Sequence, residues 1–85
     1  MEQVSPNTWL VQADTEIDHL ADEHGINLPE GDYETVAGLI LDKLARIPHQ
    51  GQIVIVGDYR IQVLQATDKK IIKVKIHKTS TRGES

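Results

Sequence analysis

The sequence predicts an α+β domain in the order β-α-α-β-β-β, with two helices packed on a mostly antiparallel sheet. Three observations carry this prediction. Two apolar stripes with helical spacing lie in the first half of the chain. Three strand-like stretches separated by turn residues fill the second half. With 85 residues and no cysteine, the chain has room for one small core and no disulfide to support it.

Residues 1–7 read as a polar lead-in, 8–77 as the domain and 78–85 as a disordered tail without core-forming residues. Thr8-Trp9-Leu10-Val11 has the aromatic and β-branched character of a short strand. Asp14 or Thr15 then caps a helix, and Thr15 with Asp18 resembles a capping box. Ile17, Leu20 and Ala21 form its apolar stripe, His24 continues it, and Gly25 stops it. The second helix runs from about Thr35 to Ala45, on the stripe Val36, Leu39, Ile40, Leu44 and Ile47, before Pro48 forbids continuation. Gly38 lies inside it at a cost of about 1 kcal/mol against alanine, which close backbone packing would offset.

Ile53-Val54-Ile55-Val56 is an unbroken β-branched run, as in a buried strand. Gly57-Asp58 is a hairpin signal. Tyr59, Ile61 and Val63 alternate with Arg60 and Gln62. Asp68-Lys69 marks another turn, after which Ile72, Val74 and Ile76 alternate with Lys73, Lys75 and His77. The lysines of this last strand read as a solvated face that also guards a sheet edge.

Charge is unevenly distributed. Residues 1–42 hold ten acids and no Lys or Arg; residues 43–85 hold all nine bases and three acids, which leaves a net of −4. Acids outside the helices and lysines outside the sheet would make a dipolar module. No apolar run reaches the ~18 residues of a membrane helix. The sequence lacks the Gly-x-Ser-x-Gly elbow, the P-loop and the dinucleotide fingerprint. Nucleic-acid binding is disfavoured, because the three aromatic residues are not interleaved with the lysines and the chain is acidic. His19 and His24, five residues apart, are poorly spaced to share a metal on a helix. Asp18 and Asp22 have the i, i+4 spacing at which two carboxylates could hold a divalent cation, although a solvated acidic face is the simpler reading.

Three stretches together resemble the transporter-associated domain of the CorC/HlyC family. They are Trp9-Leu10-Val11 leading to Ile17-Asp18-His19-Leu20; Leu28-Pro29 followed by Asp32-Tyr33-Glu34-Thr35-Val36-Ala37-Gly38-Leu39-Ile40; and Arg46-Ile47-Pro48-His49-Gln50-Gly51-Gln52 ahead of Tyr59-Arg60-Ile61-Gln62-Val63-Leu64. Ala37, Gln12-Ala13 and Ala45 stand where the family pattern often has glycine.

The resemblance implies a fold similar to a half-unit of FAD-binding domains and a non-catalytic module that modulates ion transport. It implies a larger parent, a magnesium and cobalt efflux or hemolysin-like protein with a membrane region and CBS domains. This module would lie on the cytoplasmic side of the inner membrane and meet the membrane only through that parent. Expected partners are a second copy or neighbouring domains of the parent. No cofactor is expected, the alternative being a sensor of a divalent cation or an adenine or flavin nucleotide.

Overall fold

The computed structural model describes residues 2–29 and 31–79. Its strands are β1 (Glu2–Ser5), β2 (Thr8–Gln12), β3 (Ile53–Val56), β4 (Tyr59–Ala66) and β5 (Ile71–Lys78). The helices α1 (Ile17–His24) and α2 (Val36–Leu44) fall between β2 and β3. All strand pairs are antiparallel, in the order β1-β2-β5-β4-β3. The α+β prediction therefore holds, with one strand more than expected.

The period-2 pattern sets which side of the sheet is buried. Trp9, Ile76, Ile61 and Val54 form one row across four strands. Val11, Val74 and Val63 form the next. These side chains are buried together with Ile17 and Leu20 of α1, Val36, Leu39 and Ile40 of α2, and Ile26 and Leu28 of the connecting segment. The helical stripe ends one residue early: His24 is exposed, and Ile26 beyond the Gly25 cap enters the core instead. The Tyr59 hydroxyl accepts a 3.0 Å bond from the Asn27 N–H, tying this segment to β4.

Several further readings need correction. Glu2–Ser5, read as lead-in, pairs with β2 as an edge strand, with a register irregularity between Gln3 and Ser5. Its stability comes from the hairpin ladder rather than burial, so no apolar pattern announces it. The first residue before α1 is Glu16, and no side chain caps the helix. The Ile17 N–H instead donates to the Glu34 carbonyl, so the backbone of the crossing segment does the work of a cap. Ile71, not Ile72, is buried near the start of β5. Register irregularities on either side of Gln65 shift the phase there.

The two larger corrections concern the sheet's order. β3 is an edge strand, not a buried one: Val54 and Val56 face the core, whereas Ile53 and Ile55 are 47% and 62% exposed. β5 is the central strand, so Lys73 and Lys75 guard no edge. Lys78 ends β5, and Thr79 still donates its N–H to the Asp58 carbonyl. The remainder of the expected tail, 80–85, lies outside the described residues.

The second helix matches its prediction closely. Thr35 is the N-cap, its hydroxyl accepting from the Gly38 N–H at 3.1 Å. Ala45 closes the helix at φ 58°, a left-handed conformation that costs an L-residue other than glycine about 1–2 kcal/mol. It is one of the positions where alanine replaces the glycine of the family pattern.

Candidate functional site

The helices cover one face of the sheet and leave the other open. Two residue rows cross the open face side by side, as the alternation of each strand requires. In one, Thr8 of β2 is opposite His77 of β5, which is opposite Arg60 of β4, which is opposite Ile55 of β3. In the other, Leu10 is opposite Lys75, Lys75 opposite Gln62, and Gln62 opposite Ile53. Thr8, Ile53, Arg60, Gln62, Lys75 and His77 line a shallow groove of about 250 Å³. Lys75 and His77 are half-buried, and Arg60 is exposed. The Thr8 hydroxyl and His77 Nδ1 share a 2.7 Å hydrogen bond that fixes the imidazole.

No carboxylate among the described residues lines this groove. Among the described residues neither Arg60 nor Lys75 is paired with one. The face is therefore basic at its centre and apolar along β3. No strand among the described residues pairs with the outer backbone edge of β3. The opposite edge differs, since β1 is polar and carries the register irregularity that blunts further pairing.

The residues singled out as metal candidates lie on the opposite layer. Asp18 and Asp22 are exposed on α1. Asp18 lines a separate cleft of about 180 Å³ with Glu16, Ile17, Tyr33 and Glu34. The His19 and His24 rings lie edge to face with centroids 6.2 Å apart, closer than ideal helical spacing suggests. Even so, among the described residues no three His, Asp or Glu side chains come together in a way that could hold a metal ion. Sequence reasoning missed the groove because its six residues come from four strands, and only the strand order brings them together.

The fold agrees with what comparison with known proteins finds. The family model for the transporter associated domain CorC_HlyC matches residues 2–80. The chain belongs to the CorC_HlyC transporter-associated domain family. The family resemblance read from the sequence is thereby confirmed. The magnesium and cobalt efflux protein CorC of Salmonella typhimurium is 26% identical over 74 residues, which is 87% of this chain and 25% of that protein. The chain thus spans about a quarter of the length of that relative.

Solved structures share the fold. The CorC-associated region from Neisseria meningitidis MC58 superposes with a TM-score of 0.82 at 23% identity, covering 92% of this chain and 96% of that one. The CorC_HlyC domain of a Xylella fastidiosa Temecula1 hemolysin, in complex with Mg++ and Mn++, gives 0.79 at 24% identity, covering 94% and 98%. None of the helices described here is long and apolar enough to cross a membrane.

Proposed function

We propose that this chain is a non-catalytic regulatory and assembly domain that modulates ion transport. The parent would be a bacterial membrane cation transporter that also carries CBS domains, of the magnesium and cobalt efflux or hemolysin-like type. The domain would sit on the cytoplasmic side of the inner membrane. Family membership and the CorC relative support the transporter context. The observation that carries the assembly role is the β3 edge. Four uncharged β-branched residues present an unpaired backbone, and Ile53 and Ile55 project apolar surface beside it. Such an edge is a ready template for a further strand, from a second copy or a neighbouring domain.

Sedimentation at low and high salt tests this. The isolated chain should self-associate with concentration, or bind the other cytoplasmic domains of its parent. Ile55→Lys, at an exposed position, should abolish that association with a stability change within about 0.5 kcal/mol. A monomer at all concentrations that also ignores those domains would remove the support for assembly.

A second reading is favoured by one observation, the Mg++ and Mn++ complex of the Xylella hemolysin domain. In it the present domain senses a divalent cation through Asp18 and Asp22, one helical turn apart on the acidic layer. Calorimetry with magnesium, manganese and cobalt should then show saturable heat that Asp18→Asn with Asp22→Asn eliminates. Absence of heat across that series sinks the reading.

A further inference from the structure

We infer that the groove on the open sheet face is a binding site for a phosphoryl oxyanion, free or as the ester of a small molecule. The inference goes beyond the assembly reading, since it concerns the centre of the sheet and not the β3 edge. Its starting point is a conflict in the charge pattern. Lys75 stands on the central strand β5, where a solvated edge-guard role is unavailable to it. His77, two residues on, occupies the same face. Arg60 sits directly opposite His77 and diagonal to Lys75. Arg60 and Lys75, on diagonal positions of neighbouring strands, carry charge of the same sign and repel one another. Burial makes that repulsion stronger, and Lys75 is half-buried. Among the described residues no acid lines the groove, and the acid of the Lys75 row, Glu2, stands two strands away.

A dianion placed between these groups would relieve that repulsion. Its chemistry fits the donors present. The Arg60 guanidinium offers a fork of N–H groups matched to two phosphoryl oxygens. Lys75 supplies a compact ammonium charge, and the Gln62 amide a neutral N–H. The Thr8 bond engages His77 Nδ1 and so holds the ring, leaving Nε2 as the nitrogen available to an anion. These donors come from adjacent strands of one ladder, which fixes the spacing of their backbone attachments. The volume of about 250 Å³ accommodates a phosphoryl group with a short organic substituent. Ile53, at one end of the lining, gives that substituent an apolar wall.

The test is a titration of the whole chain, followed by backbone amide shifts, at constant ionic strength set with chloride. Two probes are used: inorganic phosphate and phenyl phosphate. Both should produce saturable shifts centred on Thr8, Arg60, Gln62, Lys75 and His77. Phenyl phosphate binding at least ~3-fold tighter than phosphate, with added shifts at Ile53, would identify an ester as the ligand. Equal affinities would identify inorganic phosphate. Lys75→Gln should weaken either probe ~10-fold. The same variant should melt no lower than the parent chain, because it removes one of two like charges on neighbouring strands, and its melting temperature should rise less at a given phosphate concentration. Shifts that fail to saturate, or that chloride reproduces at equal ionic strength, would overturn the site. So would saturation of this face by a polyglutamate peptide with no response to either phosphate, which would make it a docking surface for acidic protein instead.

Discussion

Gly38→Ala should destabilise the domain by about 1–3 kcal/mol, although the change is from a poor helix former to the best one. Helix propensity alone predicts the opposite sign, a gain of about 1 kcal/mol. The difference lies in what a Cβ at position 38 would meet. It would lie 2.9 Å from Tyr33 Cβ and 3.7 Å from Tyr33 Cα. These atoms belong to or adjoin the backbone, so no rotamer change moves them away. The segment from Tyr33 to Thr35 would have to shift as a unit. That segment carries the Thr35 cap of α2 and the Glu34 carbonyl that receives the Ile17 N–H of α1. It also carries the Tyr33 hydroxyl, which donates to the Pro29 carbonyl at 2.7 Å. One methyl group therefore disturbs both helix starts. Urea denaturation reads the effect directly. A stability equal to or above that of the parent chain would show that the approach of Tyr33 to α2 is loose. A double-mutant cycle with Tyr33→Gly isolates the contact, since Gly38→Ala should cost less once the Tyr33 Cβ is gone.

Gly38 was legible in the sequence because its signal is local: a glycine inside a helical stripe calls for a close neighbour. The same holds for Gly25 as stop and for the alternation of Tyr59, Ile61 and Val63, both of which the structure reproduces. What stayed hidden depends on strand order, which no local pattern encodes. Ile53-Val54-Ile55-Val56 and a doubly buried strand look alike in sequence. Ile53 and Ile55 are exposed because they point to the sheet face that the helices leave open, on a strand that also lies at the end of β1-β2-β5-β4-β3. The lysines of β5 pose the converse problem, for an alternating basic strand reads as an edge until it is found in the middle. The groove inherits this difficulty. Residues 8, 53, 60, 62, 75 and 77 share no motif and meet only through pairing across four strands. Asp18 and Asp22, by contrast, were conspicuous by spacing, and no third potential ligand among the described residues completes a metal-binding group with them.

The assignment of β3 to an edge makes a sharp energetic contrast between two isoleucines on neighbouring strands. Ile61→Ala should cost about 3–4 kcal/mol and Ile55→Ala no more than about 0.5. Ile61 has no exposed surface and lies in the row formed by Trp9, Ile76 and Val54. Truncating it removes buried methyl groups and leaves a cavity that strands pinned on both sides cannot close. Ile55 is 62% exposed on the open face, so its truncation returns little surface to water. For a domain of this size the loss at Ile61 is a large share of a total of order 5 kcal/mol. Ile61→Val, expected to cost about 0.5–1.5 kcal/mol, keeps the comparison measurable if the alanine variant fails to fold. Urea midpoints at low protein concentration report the monomer. There the Ile55 variant should overlay the parent curve while both Ile61 variants shift to lower urea. At higher concentration the ranking should partly reverse if β3 pairs with a second copy: association then stabilises the parent chain, and Ile55→Ala forfeits that gain. An Ile55→Ala cost matching that of Ile61→Ala at low concentration would mean that β3 is covered within the monomer, and the open-edge basis for assembly would fall with it.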